Sequence, residues 1–181
     1  MKKMIVMFLV LFGFVGFAQE KLTYSDVVKT NGNTKELYNR ALVWFGDAFK
    51  SSNNVIQTKI LNDSNGVIIG KANIKYNSHV FSGSQKSSGY IDFSIKLMLK
   101  NGRYKYEITD FIHNPYDDSY GLGIITVGDE YLNRCTFGTP RSWYNKVLKD
   151  IKTQINNKMN FIINSLEDTM NKEIIPDNDN W

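Results

Sequence analysis

The chain has 181 residues, a single cysteine and a formal net charge of +4 at pH 7. One cysteine excludes an internal disulfide framework and any zinc site built from several thiolates. The length suits one domain with a hydrophobic core, and no repeat, low-complexity segment or Pro/Gly/Ser linker divides it. We therefore expect one domain.

Residues 1–18 have the three parts of a secretory signal peptide. Lys2 and Lys3 precede an apolar run that begins at Met4, and Gly16 and Ala18 supply the small residues of a cleavage site. The alternative, a membrane anchor, is disfavoured because the run is shorter than the ~20 residues of a spanning helix. No cysteine follows it that could carry a lipid. We predict export to the periplasm or beyond as a soluble protein that is not a lipoprotein. Loss of the two lysines takes the charge from +4 to +2.

The mature chain opens with a predicted strand over 22–29 and an amphipathic helix over 34–50. Asn33 followed by Glu36 makes a capping box at the start of that helix. Apolar residues then recur at steps of three and four, the spacing of one helical face; they are Leu37, Ala41, Trp44, Phe45, Ala48 and Phe49. We expect Trp44 and Phe45 to lie in the core.

From residue 54 the hydrophobic period changes to two, which predicts strands. Two of them form a hairpin around residues 62–66, with Ile60 opposite Ile68 and Ile56 opposite Ala72. Such a register would place both apolar sets on one face of the sheet.

The strongest local signal is the pair Asn101-Gly102 between two alternating segments, 90–100 and 103–111. Asn-Gly favours a type I′ turn, which sets Lys100 opposite Arg103 and joins the segments as a hairpin. The register that follows places apolar residues together on one face and pairs Lys96 with Glu107 on the other.

Residues 113–120 are predicted as a polar loop, and 122–137 as a less regular region with one further strand. There Cys135 is expected to be buried, with Tyr131, Leu132 and Phe137 around it. A long helix is predicted beyond Pro140, with an apolar stripe formed by Val147, Leu148, Ile151, Ile155, Met159, Ile162, Leu166 and Met170. The predicted domain covers 19–175, and 176–181 are expected to be a flexible tail.

No constellation of residues commits the chain to a reaction. His79 and His113 are the only histidines, and we interpret both as exposed loop residues without a second metal ligand at helical spacing. The acidic residues are scattered, so no catalytic carboxylate pair can be chosen. We therefore predict no cofactor, no metal site and no catalytic residues, and an enzyme is the least favoured of the function classes.

Several segments resemble an uncharacterised family of exported Gram-negative bacterial proteins, a domain of unknown function with a TATA-box-binding-protein-like (TBP-like) fold. The segments that carry the resemblance are Tyr24–Val28, Leu37–Phe45, Gly66 with Ile68–Lys71, Asp92–Leu97 and Gly102–Tyr106. The resemblance implies an α+β fold and export, and it assigns no activity. DNA binding is not expected, because proteins that bend DNA with this fold use a duplicated unit with paired aromatic wedges, whereas here one exported unit is predicted.

The expected fold is a curved antiparallel sheet in β-α-β-β-β-β-α order, with two helices packed on one face. The other face should then present Lys59, Lys71, Lys75, Lys96, Lys105 and Phe111. This surface is either simply solvated or a shallow site for an anionic glycan, a lipid headgroup or an acidic partner. We predict an exported, non-catalytic binding module for a small ligand or an envelope partner; the alternative is a structural subunit of an envelope assembly.

Overall fold

A computed structural model describes residues 20–49, 55–81 and 84–172. The predicted signal peptide and the tail lie outside these residues. The elements, in chain order, are β1 (Tyr24–Lys29), α1 (Thr34–Ala48), β2 (Ile56–Leu61), β3 (Gly66–Tyr76), the short α2 (Ser84–Ser87), β4 (Gly89–Lys100), β5 (Arg103–Pro115), a 3₁₀ turn (Asp118–Tyr120), β6 (Gly123–Ile124) and α3 (Arg141–Asn171).

The strands form one antiparallel sheet in the order β1-β5-β4-β3-β2, with the short β6 also paired to β5. Lys100 lies opposite Arg103, as predicted. The turn itself is not of the predicted type I′, because Gly102 has a positive φ of 72° but Asn101 does not. The α+β class and the predicted order of the main elements are confirmed. The short α2 is an addition to that order, and the short β6 lies in the region 122–137, where one further strand was predicted.

Both long helices pack on one face of the sheet. Asn33 and Glu36 form the predicted capping box of α1, and Trp44 and Phe45 of that helix are buried. Helix α1 lies so close to β3 that a side chain at Gly70 would meet the Phe45 ring at 2.8 Å. All eight residues of the predicted α3 stripe are buried, which confirms that this face of α3 contributes to the core.

A β-bulge in β5 reverses the alternation of side chains in the second half of that strand. Asp92 pairs with Ile112 and Ser94 with Thr109, so two residues of β5, Asp110 and Phe111, lie opposite Phe93. Asp110 has a φ of 58°, a conformation that Asp tolerates better than most residues. Beyond the bulge the odd-numbered residues face the helices.

Two predictions about β5 are wrong, because the bulge turns Phe111 into the core and because the strand continues through His113 to Pro115. Phe111 was expected on the exposed face, but it is fully buried and stacks against Phe93. His113 was expected in an exposed loop, but it lies within the strand and is 1% exposed.

The predicted register of the β2–β3 hairpin is also wrong. Ile60 lies opposite Val67, because the turn pairs Leu61 with Gly66, and a second irregularity between Ile56 and Thr58 then places Ile56 opposite Gly70. Ile60 is therefore exposed on the face opposite the helices.

The region between β5 and α3 differs in part from expectation. Only Gly123–Ile124 forms a strand there. Tyr131 is buried and Cys135 is partly buried against the core, but Leu132 and Phe137 are exposed, contrary to prediction. Helix α1 ends at Ala48, slightly before the predicted end.

Candidate functional site

The open face, defined as the sheet face opposite α1 and α3, carries most of the predicted lysines. Lys71 and Lys75 alternate along β3 with residues that face the helices, and Lys96 and Lys105 do the same on β4 and β5. Strand pairing places these residues on one continuous surface across three neighbouring strands.

Two of the predicted site residues do not belong to this surface. Lys59 lies opposite Ile68, and since directly opposite residues share a face, it lies on the helix side at the edge of the sheet. Phe111 is turned into the core by the β5 bulge. The open face therefore lacks the aromatic contact that the sequence predicted at that position.

Only part of the positive charge on the open face is matched by carboxylates. Lys96 lies opposite Glu107, and the Lys105 ammonium is 4.0 Å from the Glu107 carboxylate. Lys71 lies opposite Ser94, and Lys75 opposite Tyr90. In the part of the chain that the structure describes, neither of these two lysines has a carboxylate within ion-pair distance. Lysines without a matching charge attract anions.

A groove of about 520 Å³ follows the β5 bulge across the open face. The Lys21 ammonium donates a hydrogen bond of 2.6 Å to the Asp110 carboxylate at one side, and the Asn114 amide donates one of 2.7 Å to Asp92. Lys71 also lines the groove, and Ile112 and Ile124 form an apolar wall. The groove thus combines charged, amide and apolar contacts, which suits a small polar ligand.

Three cations occupy directly opposite positions at the other end of the open face. Arg103 pairs with Lys29 of β1 on one side and with Lys100 of β4 on the other. We call these three residues the cationic row. A depression of about 270 Å³ adjoins it, lined in part by Val27 and Met98. Like charges in directly opposite positions are unfavourable, by roughly 0.2–1 kcal/mol per pair.

His113 has a structural role that the sequence did not reveal. Its Nδ1 accepts a hydrogen bond from the Leu122 backbone N–H (3.2 Å), so Nε2 carries the proton and donates to the Ser87 carbonyl (2.8 Å). The Tyr76 ring packs edge-on against the imidazole. Burial lowers the pKa of His113, although the bond to Ser87 opposes that shift, and the ring is neutral near pH 7.

His79 is exposed, as predicted, but its ring is held by a carboxylate of α3. His79 Nδ1 lies 3.0 Å from Asp150 Oδ1, and the His79 backbone N–H and the Tyr76 hydroxyl both donate to Asp150 Oδ2. Burial alone would raise the pKa of Asp150, but these hydrogen bonds and one from Gln154 outweigh it and hold the pKa below its ordinary value. These hydrogen bonds link the segment that follows β3 to helix α3.

The described part of the chain has neither a cluster of metal ligands nor a helix suited to crossing a membrane. Within residues 20–49, 55–81 and 84–172, no three His, Cys, Asp or Glu side chains are grouped so that they could hold a metal ion. No helix in the same part of the chain is long and apolar enough to cross a membrane.

An antiparallel sheet with helices on one face and an open face on the other defines the class of this protein as an α+β domain. Residues 24–114 match the family described as a domain of unknown function (DUF4468) with TBP-like fold. The chain belongs to this family, which confirms the resemblance given by the sequence.

Two solved structures are similar to the chain. A TBP-like protein from Parabacteroides distasonis is 14% identical, with a TM-score of 0.46, and the match covers 81% of this chain and 93% of that one. A DUF4468 family protein from Bacteroides ovatus is also 14% identical, with a TM-score of 0.45, and the match covers 91% and 95% of the two chains. Comparison with curated proteins finds no match.

Proposed function

We propose that the protein is an exported, non-catalytic binding module that takes an anionic ligand or an acidic envelope partner on its open face. The observation that carries this proposal is the charge of that face. Its cations are Lys21, Lys29, Lys71, Lys75, Lys96, Lys100, Arg103 and Lys105, and its carboxylates are Asp92, Glu107 and Asp110, the last of which pairs with Lys21.

The contrast with the helix side supports the proposal. Apolar side chains from both helices and the sheet fill that side and stabilise the fold. The open face contributes little to the core, so its composition is free to serve recognition. A surface of one dominant sign raises the local concentration of ligands of the opposite sign. The charged, apolar and small-residue parts of residues 1–18 support export.

The test measures binding of the purified protein to heparin and to poly-L-glutamate, with neutral dextran as the reference. The central variant is K71Q/K75Q/K96Q. The matched control, K146Q/K149Q/K158Q, removes the same charge from exposed positions of α3. Thermal melts check that both variants fold.

We expect the protein to bind at least one of the two polyanions, more weakly at high salt, and the central variant to bind it roughly tenfold less tightly. The helix control should stay within about twofold of the unaltered protein. The proposal is overturned if neither polyanion binds better than dextran, or if the central variant and the control lose the same affinity.

A further inference from the structure

The fold does not require the three charges of the cationic row. Lys29, Lys100 and Arg103 are all exposed and lie on three adjacent strands in directly opposite positions. Directly opposite residues have Cβ atoms about 4.5–5.5 Å apart, so the three charges repel one another. Within the described residues, none of the three has a carboxylate within ion-pair distance. An anion bound between them would relieve that repulsion.

The chemistry of the row favours phosphate as the anionic group. Arg103 presents a planar set of N–H donors, which matches the oxygens of a phosphate in a two-point contact. The two lysines add mobile point charges, one on each side of it. A phosphate has enough oxygens to accept from all three side chains at once, whereas a single carboxylate has two.

The residues beside the row extend the contact beyond a free ion. Val27 is 54% exposed on the open face, and Met98 lies two residues before Lys100 on the same face of β4. Lys105 lies directly opposite both of them, on the strand between β1 and β4. The depression that these side chains line has a volume of about 270 Å³. Inorganic phosphate leaves this apolar part empty, but the glycerol and upper acyl carbons of a lipid would fill it.

We propose that the cationic row, with Val27 and Met98, binds the phosphate headgroup of anionic phospholipids, so that this end of the open face docks on a membrane surface. The site rests on the proposed function in that it uses the same open face. It adds the chemical class of the ligand. Its residues are not among the three lysines changed in the central variant. Basic side chains next to apolar ones are typical of surfaces that lie against an anionic bilayer.

The test is co-sedimentation of the purified protein with phosphatidylglycerol vesicles and with phosphatidylcholine vesicles. The row variant is K29Q/K100Q/R103Q, and K146Q/K149Q/K158Q is again the control of equal charge. A second variant, V27T/M98Q, keeps the size of both side chains and removes their apolar ends. Competition by inorganic phosphate distinguishes a free-ion site from a lipid site.

We expect binding to phosphatidylglycerol but not to phosphatidylcholine. The row variant should lose about a hundredfold in affinity, since each basic residue near an anionic surface contributes roughly fivefold. The V27T/M98Q variant should lose several-fold, the helix control about twofold or less, and millimolar phosphate should compete only weakly.

Three results would overturn the lipid site. They are equal binding to both vesicle types, equal losses in the row variant and the helix control, and full vesicle binding by V27T/M98Q with efficient competition by phosphate. If the central variant loses heparin or poly-L-glutamate binding while the row variant keeps vesicle binding, the proposed function stands and only the lipid site fails.

Discussion

Replacing Trp44 with Ala tests the packing that leaves one sheet face open. Trp44 is 1% exposed and packs edge-on against Phe45 of its own helix and against Phe49 just beyond the end of that helix. Its Nε1–H donates to Ser165 Oγ at 3.0 Å, which links α1 to α3. Truncating a large buried aromatic residue removes about 3–5 kcal/mol of stability. Ser165 still donates to the Ile162 carbonyl in the variant, so the lost hydrogen bond adds little.

Urea unfolding measures this loss of stability. The transition is monitored by circular dichroism of the backbone, because the variant lacks one tryptophan and fluorescence would not be comparable. With a slope of about 2 kcal/mol per molar urea, the midpoint should fall by roughly 1.5–2.5 M. Phe161→Ala on the exposed side of α3 is the control, since Phe161 is 73% exposed. A Trp44→Ala midpoint within about 0.5 M of the unaltered protein, at the same slope, would refute the core assignment.

Four shorter predictions follow from particular residues. Asp110→Val should destabilise by about 1–3 kcal/mol and Asp110→Asn by much less, because the bulge needs a positive φ; urea midpoints compare the two. Because burial lowers the pKa of His113, the free energy of unfolding should fall as the pH drops below the ordinary pKa of about 6.5. Unfolding measured at pH 7.5 and at pH 5.5 should show a smaller fall for His113→Asn than for the unaltered protein. The pKa of Asp150 is depressed, so its contribution to the free energy of unfolding is present above about pH 4 and is lost as the pH falls below that value. The difference in stability between the unaltered protein and Asp150→Asn should therefore become smaller below about pH 4. The mass of protein recovered from the periplasm should correspond to a chain that begins at Gln19, and a full-length mass would contradict cleavage after Ala18.

The sequence predicts best those elements in which turn chemistry and hydrophobic period agree. Asn101-Gly102 marks a two-residue turn with a positive φ at Gly102, and the flanking alternation gives the same register, so the β4–β5 hairpin could be predicted almost to its bulge. The α3 stripe likewise repeats at helical spacing without interruption. In the hairpin two independent patterns support one structure, and in α3 one pattern repeats along most of the helix.

The position of the bulge could not be predicted from the alternation of one strand. The apolar residues Ile108 and Phe111 are three apart, and that change of phase is the only sequence signal of an extra residue. Extending the alternation through Phe111 placed that residue on the wrong face, and the polar composition of residues 113–120 led to a loop prediction for His113. In β2 the alternation was likewise extended from Ile56 across the irregularity before Thr58, which misplaced Lys59 and Ile60.

Predicting the cationic row requires the strand order, and local sequence patterns do not contain that order. The turn alone places Lys100 opposite Arg103, but Lys29 joins them only because β1 pairs with β5 rather than with its neighbour in sequence. The central lysines required only alternation within each strand. This is why the sequence predicted Lys71, Lys75, Lys96 and Lys105 on the open face and missed the row.

Mapping a bound polyanion onto the backbone tests the central claim most directly. Amide chemical shifts of the isotope-labelled protein are followed while a short heparin fragment is added at low salt. We expect the largest changes on β3, β4 and β5 at the residues of the open face, with small changes along α1 and α3. Changes concentrated on the exposed side of α3, around Lys146 and Lys149, would contradict it.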